Sequence, residues 1–313
     1  MKRIDRTLLV LILPLAILMA AGPFLPQWVL FLVTLSIGKG FVVLGLMLLL
    51  RTGLVSFGQG LFYCLGAYAA GALGKVLGIS DVFLLLVSGA AAAALLAYIL
   101  GFLVAQYRDI FFAMLSMAFS MILYGLLVKT AALGSSDGFN VPVPTLFGAK
   151  LVEASTRYMV FAVACAATIL VALGVHWYQK TTLGSLSPAI KDNELRVEYM
   201  GASVRHAIHV KFVIAAALAG LGGALTGMTV GHIDPEMAYW TTSGEFVFVT
   251  ILSGTGSVVA PFLGSLIFET IRSYAYEYSP NTWQLVLGSS MLLVIVFLPA
   301  GMWSIFASRR KRV

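Results

Sequence analysis

Charged side chains are scarce in this 313-residue chain. Asp, Glu, Lys and Arg make up 11% of it and hydrophobic residues 60%, where a soluble domain carries about 25% charged residues. That balance excludes a soluble globular protein. The net charge of +7 is read as basic residues gathered at membrane edges, because no aqueous segment is long enough to form a domain; nucleic acid is not an expected partner and membrane lipid is. There are two cysteines, Cys64 and Cys165, both within apolar runs. They read as small core residues, with no disulfide expected. No G-x-x-x-x-G-K-[ST] loop occurs, so the chain is not expected to hydrolyse ATP. Neither H-E-x-x-H nor a Cys/His ligand cluster is present, and no metal is expected. The four histidines, His176, His206, His209 and His232, fall at membrane edges or in loops. Of the 13 acids, only Glu269 falls clearly inside a span. Arg272, three residues on, is expected to pair with it, which leaves few buried carboxylates for a self-powered secondary carrier.

What is present is a succession of apolar runs of about 20 residues, the length that crosses a bilayer. The fold class expected is all-α, a polytopic helical membrane protein of roughly eight to ten membrane segments in a single domain, 1–313. The start, MKRIDR, precedes an apolar run interrupted by Pro14 and followed at once by more membrane sequence; it reads as an uncleaved first span, about 7–25. Basic residues at both ends, including Arg309 to Arg312, put both termini in the cytoplasm. A second span, about 28–50, carries Lys39 between Gly38 and Gly40. Near mid-bilayer such a lysine costs about 2.5–3.5 kcal/mol. It is expected to line the permeation path or to reach a water-filled cavity without touching solute; no acidic partner is evident nearby, which favours the second. The stretch 52–68 interleaves Gly53, Gly58, Gly60 and Gly66 with Ser56 and Gln59, a composition that suits a bent or re-entrant segment where backbone lines a cavity. Ser116 and Ser120 share one face of a later span. Residues 129–158 read as an external loop, His232 to Glu236 as an external segment, and 245–277 as a descending segment, a turn at Ser253 to Ser257, and an ascending helix. The breaks at 51–66 and 253–264 echo each other, as paired interruptions in the two halves of a transporter do.

One long polar segment stands out, 178–211, with its charges concentrated between Lys191 and Lys211. Ser187 as N-cap, Pro188 at the first helical position and Gly201 as a stop predict a short helix over 188–200. On a helical wheel Ile190, Val197 and Met200 share one side, with Leu195 and Tyr199 roughly opposite. A helix with two apolar sides suits one that rests on its own domain and presses into a second protein; an interfacial helix at the lipid surface is the other reading.

Three motifs then converge. Thr52-Gly53-Leu54-Val55-Ser56-Phe57-Gly58-Gln59-Gly60 leads to Leu65-Gly66-Ala67-Tyr68. Ile190-Lys191-Asp192-Asn193-Glu194 runs through Glu198 to Met200-Gly201 and an Ala/Gly-rich helix. Leu252-Ser253-Gly254-Thr255-Gly256-Ser257 is followed by Pro261, Gly264 and Phe297-Leu298-Pro299-Ala300-Gly301. In this order the chain resembles the LivM-type permease subunit of branched-chain amino acid ABC importers, from about residue 40 to 303. Ser187-Pro188 and Tyr199 depart from the family pattern. The resemblance implies a transporter subunit, not an enzyme, in the bacterial cytoplasmic (inner) membrane. It implies a second, LivH-like permease, two cytoplasmic ATPases and an extracytoplasmic solute-binding protein as partners. No cofactor is bound directly, ATP being used by the partner subunits, and import proceeds by alternating access. The segment carrying Lys191, Asp192, Asn193, Glu194, Arg196, Glu198, Tyr199 and Gly201 would couple to an ATPase, with Glu194, Arg196 and Glu198 as its polar contacts. Lys39, Ser56, Gln59, Gly60 and Ser116 are the path candidates. Sister branches of the family leave urea or short amides as the alternative cargo; a membrane-embedded enzyme is disfavoured by the lack of a catalytic cluster in the spans.

Overall fold

In hydrocarbon every backbone N–H and C=O must be satisfied within the protein, and helices do this locally. A computed structural model describes residues 6–149, 152–278, 280–297 and 301–304; the basic ends on which the placement of the termini rests, 1–5 and 305–313, lie outside them. The architecture is all-α and polytopic. The helices are α1 (Arg6–Ala21), α2 (Gln27–Leu50), α3 (Gln59–Leu77), α4 (Val82–Val104), α5 (Asp109–Lys129), α6 (Glu153–Lys180), α7 (Thr182–Ser185), α8 (Ser187–Asp192), α9 (Glu194–Tyr199), α10 (Val204–Val230), α11 (Trp240–Ser253), α12 (Ala260–Tyr278) and α13 (Trp283–Phe297). Six of them are long and apolar enough to cross a membrane: α2, α3, α4, α5, α6 and α10. The others are shorter or carry charge.

The centre of the bundle is α10, packed on α2, α3 and α4. Without a hydrophobic force between helices in lipid, close approach of small residues supplies the packing energy. A Cβ on Gly66 would collide with the backbone of Gly220, and one on Gly220 with the backbone of Gly89. Three helices therefore meet backbone to backbone. Gly66→Leu is expected to destabilise the bundle by more than the about 1–3 kcal/mol typical of overpacking, because the obstacle is main chain; the thermal melt of the detergent-solubilised protein reads this out. Both cysteines are buried and free.

The two Gly/Ser breaks lie at one end of the bundle. Residues 51–58 are non-helical between α2 and α3, and 254–259 separate α11 from α12. They are joined directly: Arg51 donates from Nε (2.8 Å) and Nη2 (2.6 Å) to the Thr255 carbonyl. At the opposite end a two-residue antiparallel ladder pairs β1 (Phe139–Asn140) with β2 (His232–Ile233). The loop there is shorter than the sequence suggests, since α5 persists to Lys129 and α6 begins at Glu153. The segment after β2 folds back onto the bundle. A 3-10 turn, Pro235–Ala238, buries Pro235 and Ala238 and packs on α3 and α5. Its inward course is held by Ser120, whose hydroxyl donates to the Ala238 carbonyl at 2.7 Å.

Candidate functional site

At the end that carries the breaks, the stretch 188–200 folds as two helices rather than one. Asn193 is extended (φ −163, ψ 103) between α8 and α9, and its side chain accepts from the Arg196 N–H at 3.0 Å. An N-capping Asn thus outcompetes helix continuation. Ser187 does not cap; it lies inside α8 and donates to the Gly184 carbonyl at 2.8 Å. Gly201 ends α9 as expected, at φ +85, a conformation that favours glycine. Ile190 and Val197 are buried against the bundle, whereas Leu195, Tyr199 and Met200 are 64%, 89% and 69% exposed. Met200 therefore joins the outward patch instead of the inward face. Lys191, Asp192, Asn193, Arg196 and Glu198 are exposed around it. Glu194 is not part of that rim. It takes Arg108 through Nε at 2.6 and 2.8 Å, and the Arg108 Nη1 also donates to the Ala105 and Tyr107 carbonyls. Glu194 thus ties α9 to the α4–α5 corner. A cleft of about 650 Å³ separates α8 from the breaks, with Lys191 and Asp192 on one wall and Arg51 and Thr255 on the other.

Three of the path candidates, Ser116, Ser56 and Gly60, take part in hydrogen bonds that hold the first break in place. The Ser116 hydroxyl accepts from the Phe57 N–H (3.1 Å) and donates to Ala113 (2.8 Å). Ser56 accepts from the Gly58 N–H at 3.3 Å, and the Gly60 N–H donates to Ser243 Oγ at 2.9 Å. Gln59 is fully enclosed, and its amide meets no hydrogen-bond partner among the described residues. None of Ser56, Gln59, Gly60 and Ser116 lines the large cleft described next.

Lys39, halfway along α2, does have acidic partners. Its ammonium lies 2.6 Å from Glu269 Oε1 and 4.0 Å from Glu245 Oε2. Arg272 lies 3.0 Å from Glu245 and 3.9 Å from Glu269. The expected Glu269–Arg272 pair is thus the longer contact, and Glu245 is a second acid inside the bundle. Two cations and two anions alternate around a ring drawn from α2, α11 and α12. The ring has an inner and an outer tier. Lys39 and Glu269 side chains are 12% and 6% exposed, Arg272 and Glu245 26% and 29%. The outer tier borders a cleft of about 1040 Å³ between α5, α11, α12 and α13. Tyr124, Tyr239, Phe248, Tyr276 and Trp283 supply aromatic wall, and Thr241 and Thr242 hydroxyls. The Arg272 guanidinium sits 5.9 and 5.6 Å from the Tyr276 and Trp283 ring centroids, within cation–π reach.

The segment 178–211 also loses two residues to the bundle. His209 is buried beside the Tyr98 and Phe102 rings (5.3 and 4.6 Å). Lys211 is fully buried on α10, and its ammonium meets no hydrogen-bond partner among the described residues.

The family model for the permease component of branched-chain amino acid transport systems matches residues 28–296. The chain belongs to that family. Among curated relatives, the high-affinity branched-chain amino acid permease LivM of Escherichia coli is 27% identical over 294 residues, 87% of this chain and 68% of the relative. The high-affinity branched-chain amino acid permease LivH of the same organism is 26% identical over 269 residues, 80% of this chain and 85% of the relative. A nucleoside ABC transporter permease, NupB of Lactococcus lactis, is 26% identical over 136 residues, 44% of this chain and 36% of the relative. No solved structure matches the chain significantly.

Proposed function

We propose that this permease is one of two membrane subunits of an ATP-binding-cassette importer that carries hydrophobic, branched-chain amino acids into the bacterial cytoplasm. The observation that carries the reading is the outward apolar patch of Leu195, Tyr199 and Met200, set on helices whose opposite face is buried. Three large apolar side chains ringed by charge are what a groove in a second protein takes up. The chain lacks a phosphate loop of its own, so the partner at that patch is an ATPase and the chain binds no cofactor directly. A LivH-like subunit completes the permease, consistent with the likeness of this chain to LivM and LivH alike. A binding protein presents solute at the opposite end, near the β1–β2 ladder.

In this reading α1 to α6 and α10 to α13 are ten membrane segments. An even number of spans, together with the basic segment 178–211 at the cytoplasmic face, supports both termini lying on the cytoplasmic side of the inner membrane. ATP binding draws the ATPases together, α8 and α9 move with them, and the displacement passes into the two breaks beneath. The cargo assignment rests on the family; urea, short amides and nucleosides are the competitors.

The test is reconstitution with the second permease, two ATPases and the binding protein in vesicles. Leucine uptake is expected only with ATP on the α8–α9 side. Uptake by the permease pair alone would overturn the powered-import reading. Glu198→Lys, on the exposed rim, is expected to weaken co-purification of the ATPases; unchanged co-purification and uptake would move the docking site elsewhere.

A further inference from the structure

One opposite charge at close range is enough to neutralise an ionisable residue buried inside a membrane protein. The ring of Lys39, Glu269, Arg272 and Glu245 contains more than that purpose needs. Lys39 and Glu269 already form a close pair at 2.6 Å deep in the bundle. The second pair, Glu245–Arg272, lies at the cleft, more than twice as exposed as either inner partner. A second pair placed at the mouth of a cavity is available to a ligand.

We propose that the Glu245–Arg272 pair is the cargo subsite of the permease, and that it selects a solute carrying both an ammonium and a carboxylate. The inference rests on the permease reading and goes beyond it by naming the residues and the chemical class. A zwitterion entering the cleft replaces the 3.0 Å contact with two: its ammonium takes Glu245, and its carboxylate takes the Arg272 guanidinium, the donor geometry best matched to it. Neither protein charge is left bare. Lys39, 4.0 Å from Glu245, and Glu269, 3.9 Å from Arg272, hold both residues in place while their mutual pair is open. The ring is neutral before and after. A solute with one terminus blocked opens the same pair and satisfies one side of it, leaving a desolvated charge without a partner. Sites that rely on such groups reject the incomplete analogue strongly. Urea, amides and nucleosides lack one or both termini. The apolar remainder of the solute meets Phe248, Leu287 and Leu292, which line the same cleft.

The experiment uses the four-subunit membrane complex in lipid nanodiscs, with the binding protein omitted so that its own selectivity does not enter. Leucine, N-acetylleucine and leucinamide are titrated against intrinsic tryptophan fluorescence. Trp283, which lines the cleft, is the reporter, and Trp283→Phe is the blank. The expected result is a saturable change with leucine, absent from the blank, and at least tenfold weaker binding of either blocked analogue. Glu245→Gln/Arg272→Gln removes one charge of each sign and keeps the ring neutral; in sealed vesicles with the binding protein restored, it is expected to cut ATP-driven leucine uptake at least tenfold in complexes that elute as assembled. Equal responses to all three compounds, or wild-type uptake by the double variant, overturn the subsite. The titration stands by itself if the double variant does not assemble. Failure of the wild-type complex to import leucine at all overturns the permease reading instead.

Discussion

Lys39→Met, alone, lowers the stability of the permease by about 3–5 kcal/mol, whereas Lys39→Met combined with Glu269→Leu recovers most of that loss. The expectation follows from the asymmetry of buried ion pairs. Removing one partner strands the other as an uncompensated charge in a low-dielectric site, while replacing both with apolar groups is near neutral. Lys39 and Glu269 are 2.6 Å apart and the most enclosed members of the ring, so the stranded carboxylate has the least access to water. Arg272, 3.9 Å from Glu269, offsets part of the loss in the single variant. Thermal unfolding of the single and double variants in one detergent forms a double-mutant cycle that reads the coupling directly. Additive losses would mean the pair is not coupled and that water or lipid headgroups neutralise each charge separately.

The second large effect is at α9. Leu195→Asp with Tyr199→Asp is expected to abolish stable co-purification of the ATPases and to reduce uptake to the level seen without ATP. Buried apolar and aromatic anchors dominate interface energetics, with single hot spots worth about 2 kcal/mol or more. Here two anchors become charges that the partner must desolvate. Both side chains are exposed in the permease, so the fold is expected to be unaffected and the melt unchanged. Retained ATPase binding by a folded double variant would assign the patch to the lipid surface, the other reading of an amphipathic segment at a membrane edge.

The helical course of the chain was legible because a long apolar run has few alternatives in a bilayer. The Gly/Ser breaks at 51–58 and 254–259, the stop at Gly201 and the grouping of Ile190 with Val197 on one side followed from local chemistry. The limits were also physical. Asn193 is a strong cap in the middle of an otherwise helical pattern, and its signal was outweighed by the Pro188 start and the Gly201 stop. Met200 belongs to the inward stripe only if the helix is continuous; a new helix starting at Glu194 rotates it outward. Lys39 and Glu269 are 230 residues apart, so no local window relates them, and the i, i+3 spacing of Glu269 and Arg272 suggested a nearer partner. Ser56, Gln59, Gly60 and Ser116 carried the composition of a cavity lining, yet tight turns held by side chains need the same residue types. The cleft itself is assembled from α5, α11, α12 and α13, and its aromatic and threonine residues look ordinary in any one of them.

The double hydrogen bond from Arg51 to the Thr255 carbonyl has a mechanical consequence. The guanidinium emerges at the end of α2 and grips the main chain at the foot of α11, so the early and late portions of the polypeptide share one hinge pin. In the proposed importer, a shove delivered at Lys191, across the small cavity from it, is expected to reach both portions together.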